Sequence, residues 1–467
     1  MKLVSLRNSV LLVAMALGTT AAYAVPVIPG AAGYGMSTPA GRGGAVYKVV
    51  NLNASGIGSL KACIDATGAR TCVFEISGVI RLTTDMTIRN GNLTVAGQTA
   101  PSPGIMIRGA TFKVHGSDIL IQHLRFRVGD DAVGPEPANR DAFKIEGSEA
   151  VPVRNVVIDH CSFSWSIDEI ASIWGSHDNI TFSNNIFAEP LHDSVHPTDD
   201  DTTLEKHGFG VLLGSSNTGG RVTMVGNLFA HIVERNPLAR SRELVFVNNL
   251  IYDRSNLDLN IASQDARTTL STVVGNHFRT GPSYVRTTKP IYVMTNGVNT
   301  LYAGSKVYLE GNLAPDTGST LSAILGLTGG DFTPTLVSTT VKPVWNSGLV
   351  AKSTANNIAY DSVLKLAGAR PADRDSVDKR VVAEVKSRTG YTINCVTGDG
   401  SIRCAQNGGG WPSYPQNRRT LTLPTNQATI TSGGYSNLEL WLQQLDGQVA
   451  GVVQVQSPQA PPKLAIQ

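Results

Sequence analysis

The residues best suited to chemistry are Arg235 and Arg240, in the stretch Arg235-Asn236-Pro237-Leu238-Ala239-Arg240. Pro237 removes a backbone donor and pushes Asn236 toward an extended conformation, so the two arginines cannot be helical neighbours. Arg235 then leaves one segment, Arg240 enters the next, and both guanidinium groups can face one groove. Each is a flat fork of donors that matches a carboxylate, so the pair suits a substrate with repeating carboxylates.

The elements that must hold this pair repeat along the chain. Ile121-Gln122-His123-Leu124-Arg125-Phe126 aligns with Ile158-Asp159-His160-Cys161-Ser162-Phe163 and Phe182-Ser183-Asn184-Asn185-Ile186-Phe187. Met224-Val225-Gly226-Asn227-Leu228-Phe229, Phe246-Val247-Asn248-Asn249-Leu250-Ile251, Val273-Val274-Gly275-Asn276-His277-Phe278 and Tyr308-Leu309-Glu310-Gly311-Asn312-Leu313 complete the set. An irregular period carried by short β-rich units predicts an all-β chain wound as a right-handed parallel β-helix, a solenoid with one short strand per rung. Asparagines at the bends of successive rungs are expected to stack into a ladder, and the long insertions to gather on one side and carry the function.

Flanking segments read as covers. A glycine-rich entry from Gly33, a strand over Val46-Tyr47-Lys48-Val49-Val50 and a short helix from Ser59 cap the first coil. A helix opens at Asp375-Ser376-Val377, with Val377, Val381, Val382 and Val385 on one face, and ends before Gly390. Another starts at Ser436 with Glu439 completing a capping box, buries Leu438, Leu442 and Leu445, and stops at Gly447. The expected division is a signal peptide over 1–24, a β-helix with its N-terminal cap over 25–345, and a packed C-terminal extension over 346–467.

Met1 to Ala24 has a basic start, a short apolar middle and an Ala22-Tyr23-Ala24 end, the pattern of a cleaved secretory leader. Of 39 Lys and Arg side chains, 37 remain once Lys2 and Arg7 are removed, facing 36 Asp and Glu. So even a balance excludes bulk attraction to nucleic acid or membrane, and any polyanion must be recognised locally. A secreted protein admits disulfides: Cys63 with Cys72 and Cys395 with Cys404 are near enough in sequence to pair, leaving Cys161 as a buried thiol.

The Asp159-His160-Cys161-Ser162 rung, Arg235-x-Pro237-x-x-Arg240 before Phe246-Val247-Asn248-Asn249, and the entry Gly41-Arg42-Gly43-Gly44 resemble the pectate lyases of polysaccharide lyase family 1. Asn51-Leu52-Asn53, Leu124-Arg125-Phe126-Arg127 and Arg374-Asp375 extend the likeness to the bacterial subgroup and to nearly the whole mature chain. The resemblance implies cleavage of polygalacturonate by β-elimination with Ca2+, Arg235 matching the base and Arg240 a carboxylate-binding arginine. By the same alignment Asp141 and Asp168 match metal ligands. Asn139 and Ser172 stand where the family more usually has acids, which implies weaker calcium binding. Glu169 could compensate, but strand alternation aims it opposite to Asp168. His207 matches a family histidine, while Phe209 replaces the lysine that follows it: either the adjacent Lys206 bends in to replace that cation, or substrate binding at one subsite is weakened, the reading that strand alternation favours.

The chemistry fits these residue types. Removing the C5 proton beside a uronate carboxylate builds negative charge there, which calcium and cationic side chains stabilise. Neutralising an arginine at pH 9 costs at least roughly 4 kcal/mol, so an alkaline optimum follows. The expected partner is a polygalacturonate or pectin polymer, bound by a monomer without nucleic acid or membrane. Two other functions compete. A polygalacturonase-type hydrolase needs clustered carboxylates, and the sequence shows no paired Asp-Asp on the rung facing Arg235, with Asp130-Asp131 the nearest, one rung early. A non-catalytic carbohydrate-binding β-helix would have more uniform rungs. Arg125 and Arg127 share a face and are expected to pair with Asp130 and Asp131; His160 reads as a stack residue, and His192 and His196 as groove wall in the acidic loop 193–201.

Overall fold

The computed structural model describes residues 25–452, apart from 201, 215–218, 255, 264–266, 285–288, 295–299, 319, 329–336 and 339. The segment read as a leader lies outside the described residues. Strands wind into three parallel sheets of eleven, nine and eight strands, each strand pairing with its counterpart one coil away. This is a parallel β-helix.

The sequence repeat is the structural register. Its fifth positions, Arg125, Ser162, Ile186, Leu228, Leu250 and His277, are successive cross-strand partners, and the next partner is Leu313, so the last copy begins at Leu309, one residue later than the sequence alignment places it. Its third positions, His123, His160, Asn184, Gly226, Asn248, Gly275 and Gly311, all have positive φ, between 49° and 69°. Only residues that tolerate the left-handed region turn the chain there, which is why Asn and Gly recur. At the fourth position the ladder runs Asn185, Asn227, Asn249, Asn276, Asn312, each Nδ2 donating to the next Oδ1 at 2.9–3.0 Å. Each amide also takes up backbone groups, as when Asn227 Nδ2 donates to Phe182 O at 3.0 Å, so these buried polar side chains are satisfied. Inside, Phe126, Phe163, Phe187 and Phe229 stack at 5.1 Å per coil.

The caps follow the expected signals with two differences. Leu60–Asp65 is helical behind Ser59, and Ser376–Ser387 behind Asp375. Asn437–Ala450 has the Ser436/Glu439 capping box but runs through Gly447, which is buried inside it, and closes on Gly451 at φ 71°. Ile358–Leu366 is a helix the sequence reading did not find. It packs with Ser376–Ser387 on the outer face of the eight-stranded sheet, against Ile186, Leu228 and Leu250. Both expected disulfides are present, with Cα–Cα separations of 5.9 and 5.7 Å, and Cys161 is a buried free thiol.

Arg125 and Arg127 do share a face, but their partners are not those expected from the neighbouring sequence. Both are fully buried and meet Asp375 and Asp378 at the start of the helix Ser376–Ser387: Arg127 Nη2 donates to Asp378 Oδ1 at 2.7 Å and Arg125 Nε to Asp378 Oδ2 at 3.1 Å. Asp131 instead pairs with Arg108, and Asp130 accepts from Val396 N. A second buried contact ties the same helix down. His231 Nδ1 lies 2.7 Å from Asp253 Oδ2 and its Nε2 3.3 Å from Glu384 Oε2.

Burial pushes the His231 imidazole down, but its bonds to Asp253 and Glu384 prevail and raise its pKa to about 9. A folded-state pKa above the unfolded value adds stability that is complete below about pH 6.5 and is lost as pH rises through about 9, up to about 3 kcal/mol. Urea unfolding between pH 6 and 10 is expected to show that decline, and His231→Asn to flatten it; the same slope in both proteins would assign the effect to other groups.

Candidate functional site

Four consecutive coils bring the candidate residues to one edge of the nine-stranded sheet. Asp141 precedes the strand Phe143–Gly147, Asp168 and Glu169 precede Ala171–Gly175, His207 and Phe209 precede Val211–Leu213, and Arg235 precedes Leu238–Ala239. These strands are neighbours, with Phe143 opposite Ala171, Ala171 opposite Val211 and Leu212 opposite Leu238. Residues tens of positions apart therefore lie about one strand spacing, roughly 4.8 Å, from each other.

Arg235 turns at φ 64°, and its carbonyl accepts from Val211 N at 2.6 Å. A Cβ at Gly210 would lie 2.4 Å from that carbonyl, so glycine is required for the coils to approach. The Arg235 guanidinium sits 4.0 Å over the Phe209 ring and forms an ion pair with Glu169. Phe209, at the position where the resemblance implies a lysine, is thus the platform for the arginine.

Glu169 is the main departure from the sequence expectation. Asp168 and Glu169 lie in a bend before the strand, where Ile167 N and Asp168 N both donate to Arg140 O, so two-residue alternation does not apply. Carboxylate oxygens of Asp141, Asp168 and Glu169 come within 4.8 Å of one another. No Asp-Asp pair faces Arg235, as read from the sequence; the acids brought beside it are Asp168 and Glu169, and Asp130-Asp131 lies elsewhere. Ser172 Oγ donates to Asp141 Oδ2, while the buried Asp141 Oδ1 has no hydrogen-bond partner among the described residues. His207 Nε2 lies 3.0 Å from Asp168 Oδ1, and its ring stacks on His196 at 3.9 Å. His196, read from the sequence as groove wall, therefore reaches the site from its loop, a long-range contact with no local signal.

Two residues are not brought in. Lys206 is 67% exposed and points at Asp193, 3.8 Å away, so it does not stand in for the missing lysine. Asn139 is exposed, and its carbonyl accepts from Thr111 Oγ1 at 3.3 Å. Arg240 follows the strand Leu238–Ala239, at the opposite end from Arg235.

Crowding sets the charge states. Burial, then the charges of Glu169 and Asp168, raise Asp141 well above the usual carboxylate range, and burial with Glu169 pushes Asp168 up to about 8. Glu169 is also penalised by burial, but its bond with Asp168 and the Arg235 charge hold it below the ordinary value. Burial lowers His207, and nearby Arg235 adds to this against the pull of Glu169. An all-oxygen set of three carboxylates and a hydroxyl, with one buried oxygen unpartnered, fits a hard divalent cation.

A family profile described as pectate lyase matches residues 14–300. The chain belongs to the pectate lyase family. It is a polysaccharide lyase by that membership. A probable pectate lyase C from Aspergillus fumigatus is 31% identical over 450 residues, covering 93% of this chain and 97% of its own. One from Aspergillus terreus is 32% identical over 368 residues, 78% of each chain. A crystal structure of a pectate lyase from Bacillus sp. N165 in complex with trigalacturonate covers 72% of this chain and 98% of its own, at 17% identity and a TM-score of 0.48.

In this pectate lyase family member, Glu169→Gln removes one of three crowded charges. Carboxyl-carbon NMR in calcium-free buffer should show Asp168 titrating about one pH unit or more below its value near 8. A titration left near 8 would assign the shift to burial alone.

Proposed function

We propose that the protein is a secreted pectate lyase that cleaves (1→4)-α-D-galacturonan by calcium-assisted β-elimination, with Arg235 as the base. The observation that carries this is the grouping of Asp141, Asp168 and Glu169 against the Arg235 guanidinium. Asp141, Asp168 and Glu169, with Ser172 alongside, would hold Ca2+. When bound there, the ion supplies positive charge for the carboxylate of the uronate losing its C5 proton. Phe209 beneath Arg235 and Glu169 at its tip fix where the guanidinium points. Arg235, once deprotonated, accepts the C5 proton, the electron pair forms the C4–C5 double bond, and the C4–O bond breaks, the departing oxygen taking a proton from water, which leaves one unsaturated end and one new hydroxyl end. Arg240, on the outward face beyond the strand, binds a substrate carboxylate. His207 serves the site by contacting Asp168 and supporting Phe209, at 3.9 Å between ring centres.

A hydrolase remains the second reading, because clustered carboxylates with Asp168 near 8 also suit general acid catalysis. Among the described residues no helix is long and apolar enough to cross a membrane. Secretion rests on the leader pattern of residues 1–24.

Polygalacturonate turnover should produce unsaturated ends absorbing in the ultraviolet, disappear with a chelator and return with Ca2+. Arg235→Lys should lower the rate by roughly two to four orders of magnitude with calcium present. New reducing ends without ultraviolet absorbance would establish hydrolysis instead.

A further inference from the structure

The outward face of the groove sheet carries an aromatic side chain that the chemistry above does not use. Trp174 lies in the strand Ala171–Gly175, two residues after Ser172, and alternation puts both on the same face. It is 37% exposed, the most exposed aromatic side chain of the nine-stranded sheet among the described residues. Its indole lies across the backbone of the next coil: a Cβ built on Gly214 would fall 2.7 Å from Trp174 Cε3 and Cζ3. Any larger residue at 214 would displace the ring, so the glycine is what lets it lie flat.

The coil beyond Gly214 carries Arg240. Leu213 pairs in register with Ala239, and Arg240 N donates to Leu213 O at 2.9 Å, so Arg240 follows its strand where Gly214 follows the one before. Trp174 and Arg240 therefore stand two strand spacings apart at the backbone, roughly 10 Å, with the indole lying over Gly214 between them and Arg240 half-buried on the far side. They lie at the end of the short strands opposite Asp141, Asp168 and Arg235.

We propose that Trp174 and Arg240 form a uronate-binding subsite, in which the indole takes the C–H face of a galacturonate ring and Arg240 its carboxylate. A sugar acid presents an apolar ring face and a charged edge, and this pair offers a surface for each. A rigid aromatic loses little conformational entropy on binding, so it suits a polymer that must slide or be released between cleavages. The ring held here is not the one that loses its proton, because the subsite is displaced along the strands from Arg235. The inference rests on the galacturonan reading above and adds to it a residue that sets affinity rather than the rate of the chemical step.

The test compares wild type, Trp174→Ala and Trp174→Tyr on polygalacturonate by ultraviolet assay, with thermal unfolding as the fold control. Trp174→Ala is expected to raise KM roughly tenfold with kcat within about threefold, and Trp174→Tyr to recover most of the loss. Calorimetry with trigalacturonate, on an Arg235→Lys background that prevents turnover, should show the same weakening when Trp174→Ala is added. Wild-type turnover with an unchanged KM in Trp174→Ala would overturn the subsite alone. Absence of any wild-type turnover on galacturonan would overturn it together with the reading it rests on.

Discussion

The structure depends on the hydrogen-bonded ladder of asparagines from Asn185 to Asn312, which locks each coil to the next in one register. A parallel sheet by itself permits slippage, and a shift of one residue would turn every outward side chain inward. Five amides bonded in series, each also serving backbone groups, leave no second register in which all are satisfied. Fixed register is what turns a sequence interval of 22 to 42 residues between aligned positions into a spatial interval of one strand spacing. The ladder holds the coils of the Asp168-Glu169 pair, Phe209 and Arg235 in this register, and the pairing of Phe143 with Ala171 brings the coil of Asp141 alongside.

Such a scaffold can hold groups together that would otherwise separate. Three carboxylates within 4.8 Å repel one another, and the strain appears as raised protonation of Asp141 and Asp168. Arg235 offsets part of it through Glu169, and Phe209 gives the guanidinium a surface to rest on. On the opposite side the C-terminal helices are tied to the coils by buried charge, Arg125 and Arg127 against Asp375 and Asp378. Removing one partner of such a group costs more than the pair contributes, so the extension is bound by a constraint as much as by attraction.

The coil pattern was legible because each level of the sequence agrees with it. The third position needs a residue tolerant of positive φ, the fourth an amide and the sixth an interior hydrophobe, and the alignment shows all three before any coordinates. Asp141, Asp168, Arg235 and His207 were legible through the family resemblance. Glu169 was not, because alternation holds within a strand and Glu169 sits in the bend before one. Arg125 and Arg127 were given neighbours in sequence, whereas their partners lie 248 to 253 residues away, at a distance no local rule reaches. The helix through Gly447 shows packing overriding propensity: the glycine is buried within a helix that its conformational freedom would otherwise end. Lys206 adjoins His207 in sequence and Asn139 stands where the family more usually has an acid, and both lie outside the group.

The carboxylates that the stacked coils bring beside Arg235 form the proposed cation site. Calorimetric titration of Ca2+ into the protein, with no polysaccharide present, measures this without relying on turnover. One ion per chain is expected, with affinity falling at least roughly tenfold in Asp168→Asn while the fold is kept. Equal binding by wild type and Asp168→Asn would contradict the assignment of the site.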